Sequence, residues 1–81
     1  MLVKVFITPK EEILDPAGRA VAQALRSLGL EQVESVKVGK YLVLRLEVAS
    51  PAQALQAAAK ACEQLLANPL TEDYRYEVEP E

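Results

Sequence analysis

An 81-residue chain that is 51% hydrophobic yet only 5% aromatic has room for one domain with a thin core, because a chain this short buries only about 60–65% of its unfolded surface. One cysteine and no histidine exclude a disulfide framework and the usual zinc sites, which leaves self-association as a source of added stability. Nine basic against twelve acidic residues, net −3, argue against a nucleic-acid groove, and no run approaches the roughly 20 apolar residues of a membrane span.

Leu2 to Thr8 reads as a strand. Val3, Val5 and Ile7 share one face, and Leu2, Lys4 and Phe6 the other, so the strand is apolar on nearly both sides and belongs in the middle of a sheet. It begins at once, with no signal-peptide core, so a cytoplasmic setting is expected. Pro9 ends it.

Asp15-Pro16 starts a helix: the carboxylate can accept from first-turn amides, and proline sits where its missing N–H costs nothing. Ala20, Val21, Ala24, Leu25 and Leu28 fall on one stripe, and Gly29 stops the helix in a left-handed cap. Gly18 is out of place in a first turn, where glycine costs up to about 1 kcal/mol against alanine; a close backbone approach is one explanation.

Val36 to Val48 reads as a β-hairpin about which the rest is arranged. With Gly39-Lys40 as a two-residue loop, Val38 faces Tyr41 and Val36 faces Val43. The row Leu42, Leu44, Leu46 and Val48 then lies on the opposite face, so the ribbon is apolar on both sides. One face suits the chain's own helices; the other, with Tyr41, Val43, Arg45 and Glu47, suits a partly polar subunit interface. A three-residue loop with a bulge would instead put every apolar residue on one face.

Ser50-Pro51-Ala52-Gln53 has the form of a capping box. Leu55, Ala58, Ala59, Cys62, Leu65 and Leu66 make the expected inner stripe of a second helix, which Asn68-Pro69 ends. Glu72 to Glu79 is the last strand, with Tyr74, Tyr76 and Val78 on one side and Asp73, Arg75, Glu77 and Glu79 on the other; Pro80 closes it. The order β-α-β-β-α-β over residues 1–81 predicts a single α+β domain of ferredoxin-like topology, an antiparallel sheet with two helices on one face and the other face available for oligomerisation.

Chemistry is sparse. Ser27, Ser35, Ser50, Thr8 and Thr71 have no evident base, and no Gly-rich phosphate loop exists. Cys62 lies on an apolar stripe, where a buried, inert thiol is expected. The carboxylate pairs Glu11-Glu12 and Glu72-Asp73 read as solvated charge. Lys40-Tyr41 and Tyr74-Arg75-Tyr76 combine cation and aromatic, a composition enriched at interfaces.

Four strings go further. L-D-P-A-G-R-A-V (Leu14 to Val21), V-G-K-Y (Val38 to Tyr41), C-E-Q-L-L-A-N (Cys62 to Asn68) and E-D-Y-R-Y-E-V (Glu72 to Val78), in this order, closely resemble the PurS family, the small subunit of phosphoribosylformylglycinamidine synthase. The resemblance covers the whole chain. It implies a subunit without catalytic residues, cofactor or metal of its own, in a cytoplasmic complex for purine biosynthesis. There a synthetase large subunit amidates formylglycinamide ribonucleotide with ATP and magnesium, a glutaminase subunit releases ammonia, and paired PurS chains bridge the two. Carried onto this sequence, it makes Asp15, Pro16, Gly18, Gly39, Lys40, Tyr41, Asp73, Tyr74, Arg75 and Tyr76 subunit-contact candidates, with a partner chain passing over Gly18 as the reason for that glycine.

Two other readings share the fold order. A ligand-binding regulatory module would form its site between paired domains. An acylphosphatase-like enzyme needs an arginine in the first strand-to-helix loop, where Thr8 to Leu14 offers only Lys10.

Overall fold

A computed structural model describes residues 1–79. Strand β1 (Leu2–Pro9) is the middle of a three-stranded antiparallel sheet, with β2 (Lys40–Arg45) on one side and β3 (Glu72–Glu79) on the other. Its alternation decides its place: Val3, Val5 and Ile7 are fully buried on one face, while Leu2, Lys4 and Phe6 are half-buried on the other. Helices α1 (Pro16–Ser27) and α2 (Pro51–Ala61) complete the order. The stop expected at Pro80 lies outside the described residues.

Helix α2 begins as its sequence directs. Ser50 Oγ accepts from the Gln53 N–H at 3.3 Å, and Gln53 Oε1 reaches back to the Ala49 N–H at 2.8 Å. It ends in a π-helical turn, Cys62–Leu66, in which the Ala67 N–H donates to the Cys62 carbonyl. The residues it seats on Val3, Val5 and Ile7 are Ala54, Ala58 and Cys62, all fully buried. Ala58, Cys62 and Leu66 of the expected stripe face the core, but Leu55 is 41% and Leu65 83% exposed and Ala54 is buried in their stead, because short side chains let the helix backbone lie close to the sheet. Leu42, Leu44, Leu46 and Val48 flank this core, as do Tyr74, Tyr76 and Val78.

The hairpin expected at Gly39-Lys40 does not form. Residues 33–39 stay out of the sheet, and β2 pairs with β1 from Ile7–Lys40 to Leu2–Arg45, so neither Val38–Tyr41 nor Val36–Val43 is a cross-strand pair. Gly39 does not supply a left-handed turn; among the described residues only Gly29 has positive φ. A Cβ at Gly39 would instead lie 2.3 Å from the Ile7 carbonyl oxygen, so glycine is required for close approach to β1.

Helix α1 is the reason for the missing strand. Arg26 donates from Nε to the Val33 carbonyl (2.9 Å) and from Nη2 to that of Glu34 (2.7 Å). The Val38 N–H donates to Asp15 Oδ2 at 2.9 Å, and the Val36 carbonyl rests on Gly18. Side chains therefore occupy backbone groups that a ladder would have used. The close approach at Gly18 is real, but the segment crossing it belongs to the same chain.

Of the two helices, α2 is the one packed on β1 and β3. Helix α1 buries only Gly18 and Ala22 and closes with Gly29 at φ 98°, the Gly29 N–H donating to Arg26 and the Leu30 N–H to Leu25, a Schellman cap. Together with residues 33–38 it forms an arm on a long, thin molecule of 49 × 27 × 14 Å. The stripe expected to be α1's core face stays outside, with Val21 41% and Leu28 79% exposed.

Candidate subunit interface

The sheet face away from α2 is built by alternate residues of three strands. Register places Arg75, Phe6 and Tyr41 in one row, Glu77, Lys4 and Val43 in the next, and Glu79, Leu2 and Arg45 in the third. The first row is a stack: the Arg75 guanidinium carbon lies 4.0 Å from the Phe6 ring centroid, and the Phe6 and Tyr41 rings are 5.1 Å apart at 29°. Cation–aromatic and offset aromatic contacts each hold such rings in a fixed orientation. Tyr41 is 57% and Val43 51% exposed, so the row ends in apolar surface open to water. Lys4–Glu79 (2.9 Å) and Arg75–Glu77 (2.9 Å) ion pairs rim it.

The candidates drawn from sequence divide between the two faces. Tyr41 and Arg75 belong to this outer face, whereas Lys40 turns inward, its ammonium 3.2 Å from the Leu66 carbonyl and 3.6 Å from Glu72. Tyr74 and Tyr76 pack against the core with ring centroids 6.2 Å apart, and burial pushes the Tyr74 hydroxyl above its ordinary pKa. Asp73 pairs with Lys10 at 2.8 Å. Asp15 and Gly18, at the start of α1 with Pro16, hold residues 36–38 through the Val38 N–H and the Val36 carbonyl, while Gly39 lies against Ile7 of β1. The backbone N–H of Val38, then those of Gly18 and Ala17, hold the Asp15 carboxyl below its ordinary pKa.

Val43 was placed with Tyr41 on the interface face by its alternation, whereas Phe6 is not among the contact candidates, although it is the chain's single phenylalanine and its outward alternation is readable. Arg26 left no signal, because its partners are backbone carbonyls whose position only the fold defines.

Among the described residues no polar or charged side chain is fully buried, and no group of three metal-ligating side chains gathers. Acid–base and nucleophilic sites depend on desolvated titratable groups. The one buried nucleophile, Cys62, has its thiol pKa raised by burial, which disfavours the reactive thiolate. None of the described helices is long and apolar enough to cross a membrane.

An exposed aromatic row on the sheet and an exposed aliphatic stripe on the arm give this small α+β subunit two surfaces for contact with other proteins. The family model PurS: Phosphoribosylformylglycinamidine (FGAM) synthase matches residues 2–80, and the chain belongs to this family. It is 47% identical over 78 residues to phosphoribosylformylglycinamidine synthase subunit PurS of Bacillus subtilis (strain 168), covering 95% of this chain and 90% of that one. A B. subtilis PurS crystal structure superposes with a TM-score of 0.84 at 44% identity over 98% of both chains. A chain in the structure of PurLQS from Thermotoga maritima does so with a TM-score of 0.80 at 30% identity, over 95% of this chain and 96% of that one.

Proposed function

We propose that this chain is the PurS subunit of a cytoplasmic phosphoribosylformylglycinamidine synthase. In that role it pairs with a second copy of itself and joins the glutaminase subunit to the synthetase large subunit, supporting ammonia transfer in purine biosynthesis. The near-full-length likeness to a chain of PurLQS carries this reading. Two apolar surfaces on different elements support it, since a bridge must hold more than one neighbour at once.

The division of labour follows from chemistry. Ammonia lost to neutral water becomes ammonium, which has no lone pair for attack on an activated amide, so the two active sites must be held together. ATP and magnesium act on the large subunit, and this chain contributes no catalytic residue and no independent activity. Reconstitution tests the role: large subunit and glutaminase are supplied with glutamine, ATP, magnesium and formylglycinamide ribonucleotide, with and without this chain. Glutamine-dependent product should require it. Equal rates in both mixtures would overturn the proposal.

A further inference from the structure

Arg19 is a cation without a partner at the meeting point of three clefts. Among the described residues Lys4, Lys10, Lys37, Lys40 and Arg75 each pair with a carboxylate. Arg26 is engaged by the carbonyls of Val33 and Glu34, and Arg45 is engaged too. That leaves the side chains of Arg19 and Lys60. Lys60 is an exposed ammonium on α2, an ordinary solvated charge. Arg19 is also exposed, but it stands in a concave place. A cleft of about 280 Å³ runs between α1 and residues 34–36, with Gln23, Arg26 and Ser35 on its walls. A second, of about 260 Å³, is lined by Leu14, Pro16, Ala20 and Gln23, and a third reaches Glu11 and Lys37. Arg19 borders all three.

Its natural partners are already committed. Asp15 precedes it by four residues, the spacing of a helical ion pair, yet that carboxylate accepts from the Val38 N–H and from first-turn amides. Glu11 is held by Lys37. Five N–H donors in a rigid fork are left for a group outside the chain. We infer that Arg19 anchors a carboxylate of another synthase subunit, with an aliphatic side chain beside that carboxylate seated against Leu14, Pro16 and Ala20. Charge and shape together choose this occupant. A phosphate carries nearly two negative charges, whereas here one free guanidinium stands beside Glu34 on a chain of net charge −3. A single side-chain carboxylate matches one guanidinium in a bidentate pair. Leu14, 66% exposed, supplies the apolar rim that keeps water from such a pair at an interface. The surface is distinct from the aliphatic stripe of the arm: Arg19, Gln23 and Arg26 recur at i, i+4 and i+7, and Val21 and Leu28 fall on the other side of the helix.

The inference rests on the bridging role proposed above, and its test tells the two apart. Arg19→Lys keeps the charge and puts a primary amine where a carbodiimide can join it to a touching carboxylate. In the complex reconstituted with large subunit and glutaminase, peptide mapping should find position 19 linked to an Asp or Glu of one of those subunits. Arg19→Glu should keep the circular dichroism spectrum and the mass of the free protein, yet weaken assembly with that subunit about 100-fold in sedimentation titrations. Lys60→Glu should change assembly by less than about two-fold. No link, a link to a second copy, a link only to the chain's own Asp15 or Glu34, or wild-type assembly by Arg19→Glu would each overturn the inference and leave the bridging role standing. So would a thermal midpoint raised by inorganic phosphate in wild type and not in Arg19→Glu, which would mark a site for small anions. A wild-type chain that forms no complex would overturn both.

Discussion

The carbonyl oxygen of Val36 rests on Gly18 so closely that a side-chain carbon there would lie 2.0 Å from it. Asp15 and Arg26 hold the same segment from either side through Val38, Val33 and Glu34. Helix propensity favours Gly18→Ala by about 1 kcal/mol. Overpacking against a backbone atom costs about 1–3 kcal/mol and cannot be relieved by rotating a side chain. The clash wins. Gly18→Ala should lower stability by a net of about 1 kcal/mol in urea unfolding, where an exposed helix would have gained. A stabilised variant would show that the arm opens at no cost.

That contact also marks where the sequence was readable and where it was not. Strand β1, the caps at Ser50 and Gly29, and the division of β3 into Tyr74–Tyr76–Val78 against charge all followed from local pattern, because each depends on residues within a few positions. The alternation of Val36 and Val38 gave an equally good strand pattern. What displaced it was Arg26 and Asp15 bonding to its backbone, which no periodicity records. On that pattern Gly39 reads as a turn residue, whereas its role is to let the chain pass Ile7. For the candidate contact surface, Tyr41 and Arg75 were recoverable from composition, whereas Phe6, stacked between them, needed the register of both strand pairs.

Protonation of Asp15 should loosen the arm. Backbone amides of Val38 and the first helical turn stabilise its charged form and lower its pKa in the folded state. A lowered folded pKa means a contribution that is complete at neutral pH. It begins to fail as pH drops past about 3.9, the ordinary aspartate value, and is gone below the depressed folded value. Asp15→Asn should therefore be less stable than wild type at pH 7, with the gap closing as urea midpoints are compared at successively lower pH below 4. A gap that is constant from pH 7 to pH 2.5 would remove the carboxylate from this role.

The line Ala54, Ala58 and Cys62 lets α2 approach Val3, Val5 and Ile7. Ala58→Leu adds three carbons at a fully buried position and should cost about 1–3 kcal/mol. Ile7→Ala leaves a cavity among the same residues and should cost about 2–5 kcal/mol. Both are read from denaturant midpoints, and both should exceed the effect of Leu65→Ala, because Leu65 is 83% exposed. If Leu65→Ala proved as costly as Ile7→Ala, Leu65 would be packed in solution against something absent from a single chain.

The sharpest separation of folding from assembly lies on α1. Val21 and Leu28 are exposed beside the half-buried Leu25, a stripe left over after the helix has packed on its own segment 33–38. Lysine has a better helix propensity than valine, and at Leu28, beyond the last turn, a cation also suits the helix dipole. Val21→Lys and Leu28→Lys should thus leave stability within about 0.5 kcal/mol of wild type. A partner covering the stripe would have to desolvate each ammonium without a counter-charge, weakening assembly by about 100-fold. The expected result is two well-folded proteins that fail to support glutamine-dependent synthesis until their concentration is raised. Full activity at wild-type concentrations would exclude this stripe as a contact surface.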